Sequence, residues 1–235
     1  MGSQPIPRGH WQLSVPLSLD ICQHPSPNFG ERRGGQRPEL IVIHYTAMES
    51  AQAAIDWLCN PEAEVSAHYV IAPGGKITQL VAEEMRAWHA GVGSWKGKGD
   101  VNSRSIGIEL SNKGDHPFAA AQMDVLEALL AEIMQRWGIG PDGVIGHSDM
   151  SPGRKIDPGP KFDWLRLARQ GLAVWPDQAP AEAEWESCAK QFGYDLDNPN
   201  CFAAFRARFR PWADGPCDAE DARIAARLVR AAGSD

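Results

Sequence analysis

The sequence lacks a long apolar run, a surplus of positive charge and a paired-cysteine motif, and each absence excludes a class of protein. No stretch approaches the roughly 18 consecutive apolar residues of a transmembrane helix, so we expect no membrane span. With 23 Lys and Arg against 30 Asp and Glu, the formal net charge is −7 at pH 7. Nucleic acids and anionic membrane surfaces both require a basic footprint, so neither is expected as the main partner.

The five cysteines are scattered along the chain, and none belongs to a C-x-x-C pair. This pattern indicates free thiols in a reducing compartment, and it leaves open one disulfide among Cys188, Cys201 and Cys217. The first residues show no apolar core of a signal peptide, because polar residues and Pro16 interrupt the segment 11–19. We therefore expect a cytoplasmic protein, with the periplasm as the alternative if a signal peptide has been removed.

Composition divides the 235 residues into three parts. Residues 1–37 are rich in proline and glycine without sustained periodicity, which predicts an irregular N-terminal arm. Residues 38–177 carry the strand and helix patterns of a main domain. Beyond Trp175-Pro176 the composition changes, Ala179-Pro180-Ala181 is typical of a linker, and residues 181–235 predict three short helices. The oligomeric state stays open.

Strand and helix patterns alternate within the main domain. Short β-branched or alternating runs predict strands at 40–43, 67–72, 76–81, 105–110 and 144–146. Apolar spacing and capping residues predict helices that begin after Ser50 and that span 119–137 and 163–170. Together they predict an α/β fold, with a central mixed β-sheet flanked by helices and a small C-terminal three-helix module.

Three ligand-type side chains lie where strands end. His44 follows the strand 40–43, His147 follows the strand 144–146, and Asp157 lies in a loop fixed by prolines and glycines. Two imidazoles and one carboxylate are a usual ligand set for catalytic zinc, which leaves a fourth position for water. The residues alone leave open whether the two histidines are structural and Asp157 is a turn residue.

Five segments carry a family resemblance, and they occur in the expected order. They are IVIHYTA (41–47), SAHYVI (66–71), AWHAG (87–91), SIGIEL (105–110) and GHSD…PGRKIDPGP (146–160). Together they resemble the N-acetylmuramoyl-L-alanine amidases of the AmpD/AmiD group, whose fold is shared with T7-type lysozyme and the peptidoglycan recognition proteins. Residues 181–235 resemble, more weakly, the peptidoglycan-binding-like module of the AmiD branch. A structural buttress is the alternative for these helices.

The resemblance implies a role for each of five residues. His44, His147 and Asp157 would bind one zinc ion per chain. Glu109 would take the proton of the attacking water and pass it to the L-alanine nitrogen. Lys155, two residues before Asp157, would stabilise the oxyanion.

The same blocks suggest where substrate lies. Tyr45, Trp88, His89 and Arg154 are candidate substrate contacts, whereas His68 is expected in the core or behind the residues of the site, and not as a metal ligand. The implied partners are muropeptides and peptidoglycan fragments.

The predicted reaction is hydrolysis of the amide between (anhydro-)N-acetylmuramic acid and L-alanine, in cell-wall recycling. The alternatives are an envelope amidase acting on larger peptidoglycan fragments, another zinc hydrolase such as a sugar deacetylase, and a non-catalytic muropeptide-binding protein of the same fold. Because all five implied catalytic positions fall between His44 and Asp157, we expect small-muropeptide cleavage to be independent of residues 181–235.

Overall fold

The computed structural model describes residues 19–176 and 184–233. Within them the strands are β1 Ile21–Gln23, β2 Phe29–Gly30, β3 Leu40–Tyr45, β4 Tyr69–Ile71, β5 Ile77–Gln79, β6 Arg86–Ala87, β7 Ser105–Leu110 and β8 Val144–Gly146. The helices are α1 Ala51–Leu58, α2 Val101–Arg104, α3 Ala120–Trp137, α4 His147–Met150, α5 Trp164–Arg169, α6 Trp185–Phe192, α7 Cys201–Phe209 and α8 Ala219–Ala232.

Six of the strands form one mixed sheet in the order β1-β5-β4-β7-β3-β8. The central strand β3 pairs in parallel with both β7 and β8, and β4 pairs in parallel with β7. The hairpin partner β5 runs antiparallel to β4. Parallel strands at the centre of a sheet are covered on both faces and therefore need continuous apolar runs, which residues 40–43 supply. The prediction of a central mixed sheet is confirmed.

Local signals explain where the helices begin and end. The Ser50 side chain accepts a hydrogen bond from the backbone N–H of Ala53 and so caps α1. Asp163 caps α5 in the same way, by accepting from the N–H of Arg166. The long helix α3 ends at Gly138, whose φ of 69° is a left-handed conformation that glycine adopts without strain.

The two faces of the sheet are covered by different helices. Successive side chains of β3 point to opposite faces, so Ile41 and Ile43 share one face while Leu40 and Val42 share the other. The first face packs against apolar residues of α3 and α5, among them Leu126, Leu129, Leu130 and Leu167. The second face shares one buried cluster with α6, α7 and α8, among them Phe192, Phe205, Phe209 and Leu228. The three C-terminal helices are therefore built into the core of the main domain.

The N-terminal segment differs from the irregular arm that composition predicted. Residues 1–18 lie outside the described part, but β1 pairs in parallel with β5 and extends the sheet by one edge strand. Further along, the Arg32 guanidinium donates to the backbone carbonyls of Ser103 and Ser105, each at 3.0 Å. A strand of three residues is too short to show a periodic pattern, so composition alone could not reveal it. The linker predicted at 179–181 lies outside the described residues.

Among residues 19–176 and 184–233, no helix combines the length and the apolar character that a bilayer crossing requires. All five cysteines are free thiols, so the disulfide left open among the last three is not formed.

Candidate metal centre

Three side chains converge at the carboxyl end of the central strands. His44 lies near the end of β3, His147 is the first residue of α4 directly after β8, and Asp157 lies in the loop that follows. The His44 and His147 Nδ1 atoms are 2.9 Å apart, and Asp157 Oδ2 is 2.9 Å from the first and 3.1 Å from the second. All three residues are buried, and among the described residues theirs is the one group of ligand-type side chains whose atoms lie close enough together to hold a metal ion.

The outer nitrogen of His147 settles its tautomer. His147 Nε2 lies 2.9 Å from the carbonyl oxygen of Ala90, which can only accept a hydrogen bond. The Arg154 Nη2 atom also lies 3.3 Å from Nε2, but it donates to the same Ala90 oxygen at 2.5 Å, so the two donors share one acceptor. On this arrangement Nε2 carries the proton, and the Nδ1 atom that faces the cluster presents a lone pair.

A chain of hydrogen bonds fixes His44 in the same way. The Ser105 hydroxyl donates to the carbonyl oxygen of Val101 at 2.5 Å, so its oxygen accepts from His89 Nε2 at 3.1 Å. His89 Nδ1 then has no proton and accepts from His44 Nε2 at 3.0 Å. As a result the Nδ1 lone pair of His44 faces the cluster, as that of His147 does.

The cluster is consequently built for a cation. Two imidazole lone pairs and a carboxylate oxygen lie within about 3 Å of one another, and the hydrogen-bond pattern leaves no proton between them. Burial, followed by the neighbouring His147, lowers the pKa of His44 to about 4, so this imidazole is neutral at pH 7. Lone pairs and a carboxylate oxygen repel one another at this distance unless a positive ion lies among them, and two imidazoles with one carboxylate are a usual ligand set for a divalent metal ion.

Glu109 stands beside the cluster on the neighbouring strand. It is the direct partner of His44 in the parallel pairing of β3 and β7, so the two side chains point to the same face. Its Oε2 atom is buried and has no hydrogen-bond partner. Burial first, and then the negative charge of Asp157, raise the pKa of Glu109 to about 8 against the opposing effect of Lys155. Such a carboxyl can hold or release a proton near neutral pH.

The cluster lies at the bottom of an open cleft with a volume of about 520 Å³. The structure brings all nine sequence-predicted site residues into the lining of this cleft: His44, Tyr45, Trp88, His89, Glu109, His147, Arg154, Lys155 and Asp157. Sequence reasoning missed the apolar part of the lining, which includes Met48, Trp57, Leu58, Val65 and Ile156. Their spacing is that of ordinary core or surface residues, so no pattern distinguished them.

Arg154 and His89, two of the predicted substrate contacts, also form hydrogen bonds within the protein. The Arg154 guanidinium donates to the carbonyl oxygens of Ala90 and Val92, at 2.5 and 2.7 Å, and thereby holds the carbonyl that accepts from His147. His89 supports His44 while also lining the cleft.

His68 has the core position that the sequence predicted. It is fully buried, and its Nδ1 atom accepts from the backbone N–H of Gly107 at 3.0 Å.

The comparisons with known proteins agree with this geometry. Residues 34–160 match the family described as N-acetylmuramoyl-L-alanine amidase, a segment that contains every residue of the cluster. The chain belongs to this amidase family. The N-acetylmuramoyl-L-alanine amidase AmiD of Escherichia coli is 35% identical, with 85% of each chain covered. The 1,6-anhydro-N-acetylmuramyl-L-alanine amidase AmpD of Haemophilus influenzae is 39% identical over 64% of this chain and 91% of its own.

Solved structures extend the likeness beyond the matched segment. The AmiD structure with anhydro-N-acetylmuramic acid-L-Ala-D-gamma-Glu-L-Lys has a TM-score of 0.75 at 33% identity and covers 88% of this chain and 99% of its own. AmpDH3 of Pseudomonas aeruginosa with anhydromuramic pentapeptide has a TM-score of 0.74 at 30% identity, covering 97% and 98%. The amidase prediction is confirmed, and the reading as a non-catalytic binding protein is not supported.

Proposed function

We propose that the amidase holds one zinc ion on His44, His147 and Asp157 and hydrolyses the amide between anhydro-N-acetylmuramic acid and L-alanine of muropeptides. The observation that carries the proposal is the convergence of two imidazole lone pairs and one carboxylate oxygen at the bottom of the cleft. When bound, zinc supplies Lewis acidity, which polarises a carbonyl group and acidifies water.

Glu109 and Lys155 complete the chemistry in this proposal. Glu109 accepts a proton from the attacking water at Oε2, which has no other partner, and returns it to the L-alanine nitrogen as the C–N bond breaks. Lys155 lines the same cleft, two residues before Asp157, and its ammonium stabilises the negative charge that develops on the carbonyl oxygen.

The substrate class follows from the cleft and from the relatives. AmiD and AmpDH3 have been solved with anhydromuramic peptides, and both resemble this chain over most of its length. Trp88 and Tyr45 line the cleft beside the cluster and offer aromatic surface to sugar or peptide. Arg154 lines it from the loop that carries Lys155 and Asp157, and its positive charge suits the carboxylates of the stem peptide.

We place the activity in cell-wall recycling, in the cytoplasm. Five free thiols suit a reducing compartment, and a cleft volume of about 520 Å³ lies within the range of sites for small molecules such as released muropeptides. The competing role is that of an envelope amidase acting on larger peptidoglycan fragments.

One set of assays tests the proposal. Purified anhydromuropeptide and intact sacculi are incubated with the amidase, and the products are identified by mass spectrometry with and without a chelator. We expect release of the stem peptide from the small substrate, loss of turnover with chelator and restoration by zinc. Glu109→Gln should keep the metal and lose roughly a hundredfold or more in kcat, whereas the exposed Glu84→Gln serves as the control. Retained turnover in the metal-free protein would contradict the zinc assignment, and preferred cleavage of sacculi would contradict the recycling role.

A further inference from the structure

Asp149, two positions after His147, is a buried carboxylate that accepts hydrogen bonds from three donors. Asp149 is 1% exposed and lies in the single turn of α4. Its Oδ2 accepts from the backbone N–H of Gly146 at 2.8 Å and from the Arg208 guanidinium at 2.5 Å. Its Oδ1 accepts from the Tyr194 hydroxyl at 2.6 Å. Two of the three donors therefore come from the C-terminal part of the chain.

Arg208 is held in place on several sides. Its side chain is 2% exposed and stacks over the Trp164 ring at 3.9 Å. Its second terminal nitrogen donates to the carbonyl oxygen of Val144, in the strand that leads to His147, at 3.2 Å. Arg208 thus connects β8, the turn of α4 and the helix α7.

A helix of one turn does not fix its own orientation, because its few hydrogen bonds do not offset the entropy of ordering it. The direction of the His147 side chain must therefore be set by contacts outside α4. We propose that Arg208 and Tyr194 are positioning residues for His147 and act through Asp149, so that the C-terminal helices form part of the framework of the metal site. This inference rests on the proposed zinc site.

A second set of contacts leads to the same conclusion. The connection between α6 and α7 supports the loop that carries Lys155 and Asp157. There, the Asn198 side-chain amide donates to the carbonyl oxygen of Pro152 at 3.0 Å. A Cβ atom added at Gly153 would lie 2.3 Å from the Asn200 side chain, so this loop packs directly against the C-terminal part.

The chain offers a matched control for Arg208 on the same helix. Arg206 is also buried, and it pairs with the buried Asp221 at 2.5 Å. Its other hydrogen bonds run to the carbonyl oxygens of Gly215 and Pro216, both in the connection between α7 and α8. Arg206→Gln and Arg208→Gln therefore each break one buried ion pair of α7, but only Arg208→Gln releases the turn that carries His147.

The experiment measures zinc affinity of the full chain by competition with a chromogenic chelator. We expect the Kd of Arg208→Gln to rise roughly tenfold or more, as for other residues that support metal ligands, and that of Arg206→Gln to stay within about twofold of wild type. The absorption spectrum of the cobalt-substituted protein should change only in Arg208→Gln. Equal zinc affinities and equal spectra in the two variants would overturn the inference. A wild-type chain that binds no zinc would instead overturn the proposed function.

A milder pair of variants covers the case in which Arg208→Gln does not fold. Tyr194→Phe removes one hydroxyl that donates to Asp149, and Tyr69→Phe removes one that donates to Glu83 at a similar distance of 2.7 Å. Both tyrosines are 2% exposed. Tyr194→Phe should weaken zinc binding by roughly two- to tenfold while Tyr69→Phe leaves it unchanged. Unchanged zinc affinity in Tyr194→Phe would also overturn the inference.

Discussion

Phe192→Ala tests whether the C-terminal helices and the sheet form one folding unit. Phe192 is 3% exposed at the end of α6, and its ring centroid lies 5.7 Å from that of Trp95 in the main domain and 5.9 Å from that of Phe209 in α7. Removing a buried aromatic ring leaves a cavity and costs about 3–5 kcal/mol. For a protein of this size that loss lowers the Tm by roughly 6–20 °C.

The assay is calorimetry together with circular dichroism and tryptophan fluorescence. Because the cluster joins both parts, we expect one transition that shifts as a whole and has the same midpoint for every probe. Trp212→Ala is the control, since Trp212 is 73% exposed and its loss should change stability by no more than about 0.5 kcal/mol. A melt with two transitions, of which only one moves in Phe192→Ala, would refute the shared core.

Three further variants probe the support of the site and the acid stability. His89→Ala removes the acceptor of His44 Nε2 and should weaken zinc binding roughly 10- to 100-fold in a competition titration. Gly107→Ala should also weaken zinc binding, because the added Cβ would lie 2.4 Å from the His89 ring and displace it. Both imidazoles themselves are retained in this variant. In urea unfolding at several pH values, the free energy of unfolding of Glu83→Gln should fall less steeply with decreasing pH in the acid range than that of wild type. Burial alone would raise the pKa of Glu83, but hydrogen bonds, foremost that from Arg136, hold it below its ordinary value.

The sign of the Glu83 effect follows from proton linkage. The folded pKa is lower than the unfolded value of about 4.3, so Glu83 contributes stability above that pH and the contribution is lost as the pH falls through the folded pKa. The exposed Glu84→Gln is the control and should leave the curve unchanged. If the free energy of unfolding of Glu83→Gln falls with decreasing pH as steeply as that of wild type, this assignment is contradicted.

For His89→Ala and Gly107→Ala, unaltered zinc affinity would mean that the hydrogen-bond chain does not support His44.

The central strands and the residues at their ends were predictable from the sequence. The apolar run 40–43, β-branched at three of four positions, favours a buried strand, and His44 directly after it is then expected at the end of that strand. Parallel pairing of β3 with β7 and β8 then brings Glu109 and His147 to the same edge. These are consequences of local patterns and of sheet geometry.

The support of the site was not predictable. His44 is held by His89, Ser105 and the carbonyl oxygen of Val101, and His147 by the carbonyl oxygen of Ala90. Backbone carbonyls occur at every position and carry no sequence signal, so their role appears only when the chain is folded.

The position of the C-terminal helices was not predictable either. The change in composition after Pro176 favoured a separate module, and cleavage was therefore expected to be independent of it. The residues that join the two parts, such as Trp95 and Phe192, look like ordinary core residues in the sequence. Their partners lie about a hundred positions away, which no local pattern can reveal. The observed contacts support the opposite expectation, that cleavage depends on these helices.

The late position of α6, α7 and α8 in the chain has a consequence for biosynthesis. Leu40 and Val42 leave the ribosome well before Phe205 and Leu228, which share their buried cluster and follow more than 160 positions later. Until those helices emerge, one face of the nascent sheet is bare apolar surface, the condition under which partly made chains aggregate or recruit chaperones. Native contacts of such long sequence separation also form slowly. A ribosome that stalls before α7 is complete therefore holds a chain that already contains every proposed zinc ligand but cannot yet bury this face of the sheet.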